Sequence, residues 1–121
     1  MEIKKTIVLG ASANPERYSN LAVKRLAGLG HPVIAIGKKA GKIGHIPIET
    51  SAIKADNIDT VTLYLNPDHQ NPYYDYIISL HPRRIIFNPG AENEELYTLA
   101  LQKGINVQNA CTLVLLSTGQ Y

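Results

Sequence analysis

Cysteine is nearly absent from this chain of 121 residues. Cys111 stands alone, so no intramolecular disulfide can form and no cysteine-rich metal site can be built. That suits a reducing compartment, and a cytoplasmic protein is expected. Tryptophan is missing, and phenylalanine occurs once against seven tyrosines. Long apolar runs are missing too. The opening Met1-Glu2-Ile3-Lys4-Lys5 leads straight into a short strand-like run and is no signal-peptide core. No stretch approaches the roughly 20 apolar residues that cross a bilayer, so no membrane association is expected. Charge of one sign is also scarce. The net charge is +2, and the basic residues are dispersed in pairs such as Lys4-Lys5, Lys38-Lys39 and Arg83-Arg84. That is no nucleic-acid face. His31, His45, His69 and His81 lack metal-ligand spacing, and no metal site is expected. Nothing resembles a catalytic triad, a phosphate-loop lysine or paired catalytic acids, so no catalytic residue is assigned.

What is present is a globular composition, 45% hydrophobic and 18% charged, in a length that suits one domain over residues 1–121. Strand-like runs alternate with helix-compatible segments. Ile7-Val8-Leu9 is the first strand. Leu21, Ala22, Leu26 and Leu29 follow at helical spacing, with Ser19 or Asn20 as N-cap and Gly30 as the stop. Pro32 to Ile36 is a second strand ending at Gly37, and Lys38 to His45 is a loop. Ile46-Pro47-Ile48 is a brief edge segment because of its proline, and Ser51 caps a short helix through Ile53 and Ala55. Thr60 to Leu65 is the third main strand, ending at Asn66-Pro67.

Asp68 then caps a helix with Tyr73, Tyr76, Ile77 and Leu80 on its apolar face, interrupted early by Pro72. Arg84 to Phe87 is a strand ending at Asn88-Pro89-Gly90. Glu94 to Gln102 is helical, and Ile105-Asn106-Val107 is a short last strand. Cys111 to Leu116 is a closing apolar segment, in which Leu113 to Leu116 completes the core or forms a homodimer contact. The alternation predicts a Rossmann-like, three-layer α/β/α domain with a mainly parallel five-stranded sheet of order 3-2-1-4-5.

In such sheets ligands sit beyond the strand C-termini, where the strand order reverses. Four strands of this chain end there in similar loops: Gly10-Ala11-Ser12, Gly37-Lys38-Lys39, Asn66-Pro67 and Asn88-Pro89-Gly90. Their convergence on one edge beside a helix N-terminus, which favours anions, points to a nucleotide. The first loop departs from the dinucleotide fingerprint, since Ser12 stands at the second glycine position and Asn14 follows. Both side chains can hydrogen-bond phosphate or adenosine, but they narrow the space. The second loop carries Lys38, Lys39 and nearby Lys42, with no acid before Ile48. A carboxylate there would accept ribose hydroxyls; lysines instead attract a phosphorylated ribose. The ligand is then NADP or coenzyme A, and Arg17 is placed for a bidentate phosphate contact.

With those residues assembled, the chain resembles the small stand-alone CoA-binding-domain proteins, which are similar to the N-terminal domain of the succinyl-CoA synthetase α subunit. The likeness spans about residues 5 to 121. It is carried by Val8-Leu9-Gly10-Ala11-Ser12 with Asn14-Pro15-Glu16-Arg17 and Ser19, by Asn88-Pro89-Gly90 with Glu92-Asn93-Glu94-Glu95, and by Ala110-Cys111-Thr112. The resemblance implies coenzyme A, or acyl-CoA, held across the strand C-termini. Gly10, Ala11, Ser12, Asn14, Arg17 and Ser19 would then meet the nucleotide phosphates and ribose. Gly37, Lys38 and Lys39 would lie near the CoA nucleotide, while Leu65, Asn66 and Pro67, with Asn88, Pro89 and Gly90, would flank the adenine and pantetheine. The synthetase's phosphohistidine domain is absent from these residues, so ligase activity is not carried over. The expected function is cofactor binding without catalysis. The alternative is an NADP-linked oxidoreductase or a subunit of a CoA-dependent enzyme.

Overall fold

A computed structural model describes residues 2–121. Seven strands form one sheet among them: β1 (Thr6–Leu9), β2 (Val33–Ile36), β3 (Gly41–Ile43), β4 (Ile46–Glu49), β5 (Thr60–Leu63), β6 (Arg84–Phe87) and β7 (Asn106–Asn109). Four helices accompany it: α1 (Tyr18–Gly28), α2 (Tyr74–Leu80), α3 (Glu94–Gln102) and α4 (Thr112–Ser117). The α/β layered architecture is the one the sequence predicts. Strand number and order are not.

The spatial order is β3-β4-β2-β1-β5-β6-β7, where five strands in the order 3-2-1-4-5 were expected. The third main strand, β5, lies beside β1 instead of beyond β2. The physical cause is the segment between them. Gly41 to Glu49 folds into the antiparallel hairpin β3–β4, and β4 takes the open edge of β2 in parallel. With that edge covered, the next strand crosses to the free side of β1. Pro47 is tolerated inside this arrangement, because β4 pairs with β2 only from Ile48 onward. The outermost strand is therefore β3, not the segment containing the proline.

Burial on both faces explains the parallel pairing. Every residue of β1 and of β5 is buried, and successive side chains alternate between the two layers. Ile7, Leu9, Val61, Leu63, Ile85 and Phe87 pack with Ile77, Leu96 and Ala100 of α2 and α3. Val8, Ala35 and Ile86 pack with Val23 and Leu26 of α1 and Leu116 of α4.

Local details differ from the sequence reading in three places. Helix α1 starts at Tyr18 with Arg17 at its N-cap, so Ser19 and Asn20 are buried first-turn residues and cap nothing. The helix expected after Ser51 does not form. The segment after β5 runs through two 3-10 turns, Pro67–His69 and Asn71–Tyr73, before α2 begins, because Pro67 and Pro72 lack the amides that a regular helix needs.

The parallel register matters for function. Ile36, Leu9, Leu63, Phe87 and Asn109 are mutual partners across the sheet. Five strands thus end at one level, and their following loops emerge on a single edge.

Candidate functional site at the strand ends

Two glycines let the loops on that edge close together. Gly10 has φ +100, and a β-carbon there would lie 3.0 Å from both the Leu65 amide nitrogen and the Tyr64 carbonyl carbon. A β-carbon on Gly37 would run into the carbonyl oxygen of Ala11. The turns after β1, β2 and β5 are therefore in backbone contact, which only glycine allows at these points.

Between them opens a cleft of about 620 Å³. From the loop after β1 and the start of α1 it receives Gly10, Ala11, Ser12, Ala13, Asn14, Arg17, Tyr18 and Ser19. The loop after β2 contributes Lys38, Lys39 and Ala40, and the ends of β5 and β6 contribute Tyr64, Leu65 and Pro89. Ten of the residues singled out from sequence thus line one cavity.

The amides of the first loop are unequally engaged. Those of Gly10 and Ala11 both donate to the Ile36 carbonyl, at 2.8 and 2.9 Å. They hold β1 to β2 and are spent on the scaffold. The amides of Ser12, Ala13, Tyr18 and Ser19 find no acceptor among the described residues. An anion in the cleft would meet these donors together with the positive end of α1. The loop is held in shape by its own side chains. Ser12 Oγ accepts from the Asn14 amide at 3.1 Å and Asn14 Oδ1 from the Glu16 amide at 3.0 Å. Asn20, 2% exposed, donates through Nδ2 to the Ser12 carbonyl at 2.9 Å and anchors the turn to the helix. Arg17, Lys38 and Lys39 are exposed at the rim, and no lining residue is acidic.

The remaining sequence-predicted residues support the cleft without lining it. Asn88 is 1% exposed. Its Nδ2 donates to Thr62 Oγ1 and the Leu63 carbonyl at 2.7 and 2.8 Å, and its Oδ1 accepts from the Thr112 amide at 2.8 Å. Every polar atom of that side chain is engaged within the fold. Asn66 Oδ1 accepts from the Asp68 amide at 2.9 Å, fixing the turn through Pro67. The Gly90 amide donates to Glu92 Oε1 at 2.8 Å. Gly37 lies beneath the cleft as a contact point.

Ala13 lines the cleft inside the expected Gly10 to Asn14 stretch, whereas Tyr18, Tyr64 and Ala40 line it with no such expectation from the sequence. Tyr18 directly follows Arg17, so its place at the helix start was a usable signal. Tyr64 read as a strand residue. Its hydroxyl is buried without a hydrogen-bond partner among the described residues. Burial, and then the neighbouring Cys111 thiol, hold it well above the ordinary phenol range. Gln70, fully buried, donates to the carbonyls of Leu65 at 2.9 Å and Ala91 at 2.7 Å and sets the loop that carries Leu65.

The CoA binding domain family matches residues 4–117. The chain belongs to that family. Comparison with curated proteins returns no match. A crystal structure of an uncharacterised protein is 45% identical, with a TM-score of 0.97 over 100% of both chains. A hypothetical protein from Pyrococcus horikoshii is 25% identical, with a TM-score of 0.84 over 93% of this chain and 81% of its own. The dinucleotide-forming acetyl-coenzyme A synthetase 1 of Ca. Korarchaeum cryptofilum, solved with phosphate and ADP, shares the fold. Its identity is 18% and its TM-score 0.70, over 89% of this chain and 26% of the synthetase. Membership of the CoA-binding family implies a small-molecule ligand for this chain. No helix among the described residues is long and apolar enough to cross a membrane.

Proposed function

We propose that the protein binds coenzyme A or acyl-CoA in the cleft at the strand C-termini and carries out no chemistry of its own. The observation that carries this reading is the grouping in one cavity of unbonded amides at Ser12 and Ala13 with the cations of Arg17, Lys38 and Lys39, in a chain of the CoA-binding family. The lysine pair suits the phosphate on the adenosine ribose, and the amides with Arg17 suit the pyrophosphate. Leu65 and Pro89 offer apolar surface to the pantetheine arm.

The lining is what supports a binding role without catalysis. It holds no carboxylate, imidazole or thiol, and the buried Tyr64 hydroxyl is a weaker acid than an ordinary phenol. The cleft thus offers none of the carboxylates or imidazoles that most often serve as general acid or base.

Thermal-shift titration tests the reading, since a ligand that binds only the folded state raises the melting temperature. Coenzyme A is expected to stabilise the protein, and dephospho-CoA to do so less. A strong response to NADPH with none to coenzyme A overturns it.

A further inference from the structure

The two tyrosines of the cleft stand in opposite environments. Tyr64 is half-buried, with its hydroxyl enclosed. Tyr18 is 74% exposed, more than any other large hydrophobic residue described. It is the first residue of α1 and follows Arg17 directly, on the same cleft as Lys38 and Lys39. Its neighbours in the helix, Ser19 and Asn20, are buried, so the backbone beneath it is fixed while its ring stands in water. A ring left uncovered beside a cationic rim forgoes the burial that aromatic side chains ordinarily gain. The lining offers no second exposed aromatic ring.

We infer that Tyr18 is the platform on which the purine ring of the bound nucleotide stacks, next to the phosphate-holding cations. This deepens the coenzyme A reading and rests on it. A purine presents a flat π-face that an aromatic ring can cover with little demand on orientation. The pantetheine arm has no such face and gains only contact area. Stacking needs the ring and not the hydroxyl, so phenylalanine serves in place of tyrosine and alanine does not.

Calorimetry of the full chain and of the Tyr18→Ala and Tyr18→Phe variants separates the possibilities, with coenzyme A, adenosine 3′,5′-bisphosphate and phosphopantetheine as probes. Because Tyr18 is exposed, both variants are expected to melt near the parent temperature. Tyr18→Ala should bind the bisphosphate roughly tenfold more weakly, Tyr18→Phe should stay within about twofold, and phosphopantetheine should bind all three proteins alike. Parent-like bisphosphate binding by Tyr18→Ala, with coenzyme A still bound, overturns the stacking role and leaves the coenzyme A reading intact. An equal loss for phosphopantetheine also overturns it. Failure of the parent to bind coenzyme A removes both.

Discussion

The Thr112 amide donates to Asn88 Oδ1 at 2.8 Å, joining the turn after β6 to the first residue of α4. The same asparagine reaches back to Thr62 and Leu63, and Thr62 Oγ1 lies 2.7 Å from Thr112 Oγ1. One buried side chain thus ties together β5, β6 and α4 directly behind the cleft. Asn88→Ala would leave the Thr112 amide and the Thr62 hydroxyl each short of one partner in the buried interior. A loss of about 1–3 kcal/mol is expected, measured as a lower urea midpoint. A change in coenzyme A affinity at unchanged stability would instead mark Asn88 as a ligand contact.

Opposite outcomes are expected at two glycines. Gly37→Ala drives a methyl into the Ala11 carbonyl and should cost about 1–3 kcal/mol. Gly28 lies in α1 with open space around it, and Gly28→Ala should stabilise by about 0.4–1 kcal/mol through the unfolded chain. Chemical denaturation of the pair reads both signs.

Charge reversal at the lysine pair tests the electrostatic half of the proposed site. The double variant Lys38→Glu/Lys39→Glu should bind coenzyme A about tenfold more weakly, with a smaller loss for dephospho-CoA. Raising the ionic strength should narrow the gap, since these charges are exposed and screened. Equal losses for the two ligands would remove the ribose-phosphate assignment.

His31 makes stability depend on pH. It is 3% exposed, its Nδ1 accepts the Lys4 amide at 3.0 Å, and its Nε2 has no partner among the described residues. Burial, and then the Lys4 charge, lower its pKa below 6.5. The unfolded chain therefore takes up a proton at higher pH than the native one does. As pH falls from 6.5 toward the lowered native value, this uptake draws the equilibrium toward unfolding. Above 6.5 the contribution is constant. Urea midpoints between about pH 8 and about pH 5 should fall on the acid side, and His31→Gln should flatten that part of the curve.

The strands were legible because burial on both faces requires near-continuous apolar runs, and Ile7-Val8-Leu9 and Arg84 to Phe87 have them. Helix α3 was legible from its acidic first turn and apolar spacing. The hairpin was not. Gly41 to Glu49 has one proline and little apolar periodicity, and its pairing depends on the open edge of β2, which exists only once β1 and β2 have come together. The missed Tyr64 has the same origin: whether a strand-end residue lines a cleft depends on how far the loops beside it approach.

The layered α/β class and the glycine and lysine pattern of the loops after β1 and β2 are written in the sequence. Those properties reside in short segments, through periodicity, glycine positions and charge. Tertiary structure alone decided the strand order, which amides are spent on Ile36 and which stay free, and the division of Asn88 from Lys38 and Lys39 into support and rim. Each of these depends on which distant backbone reaches a given hydrogen-bonding group first, and local sequence carries no record of that.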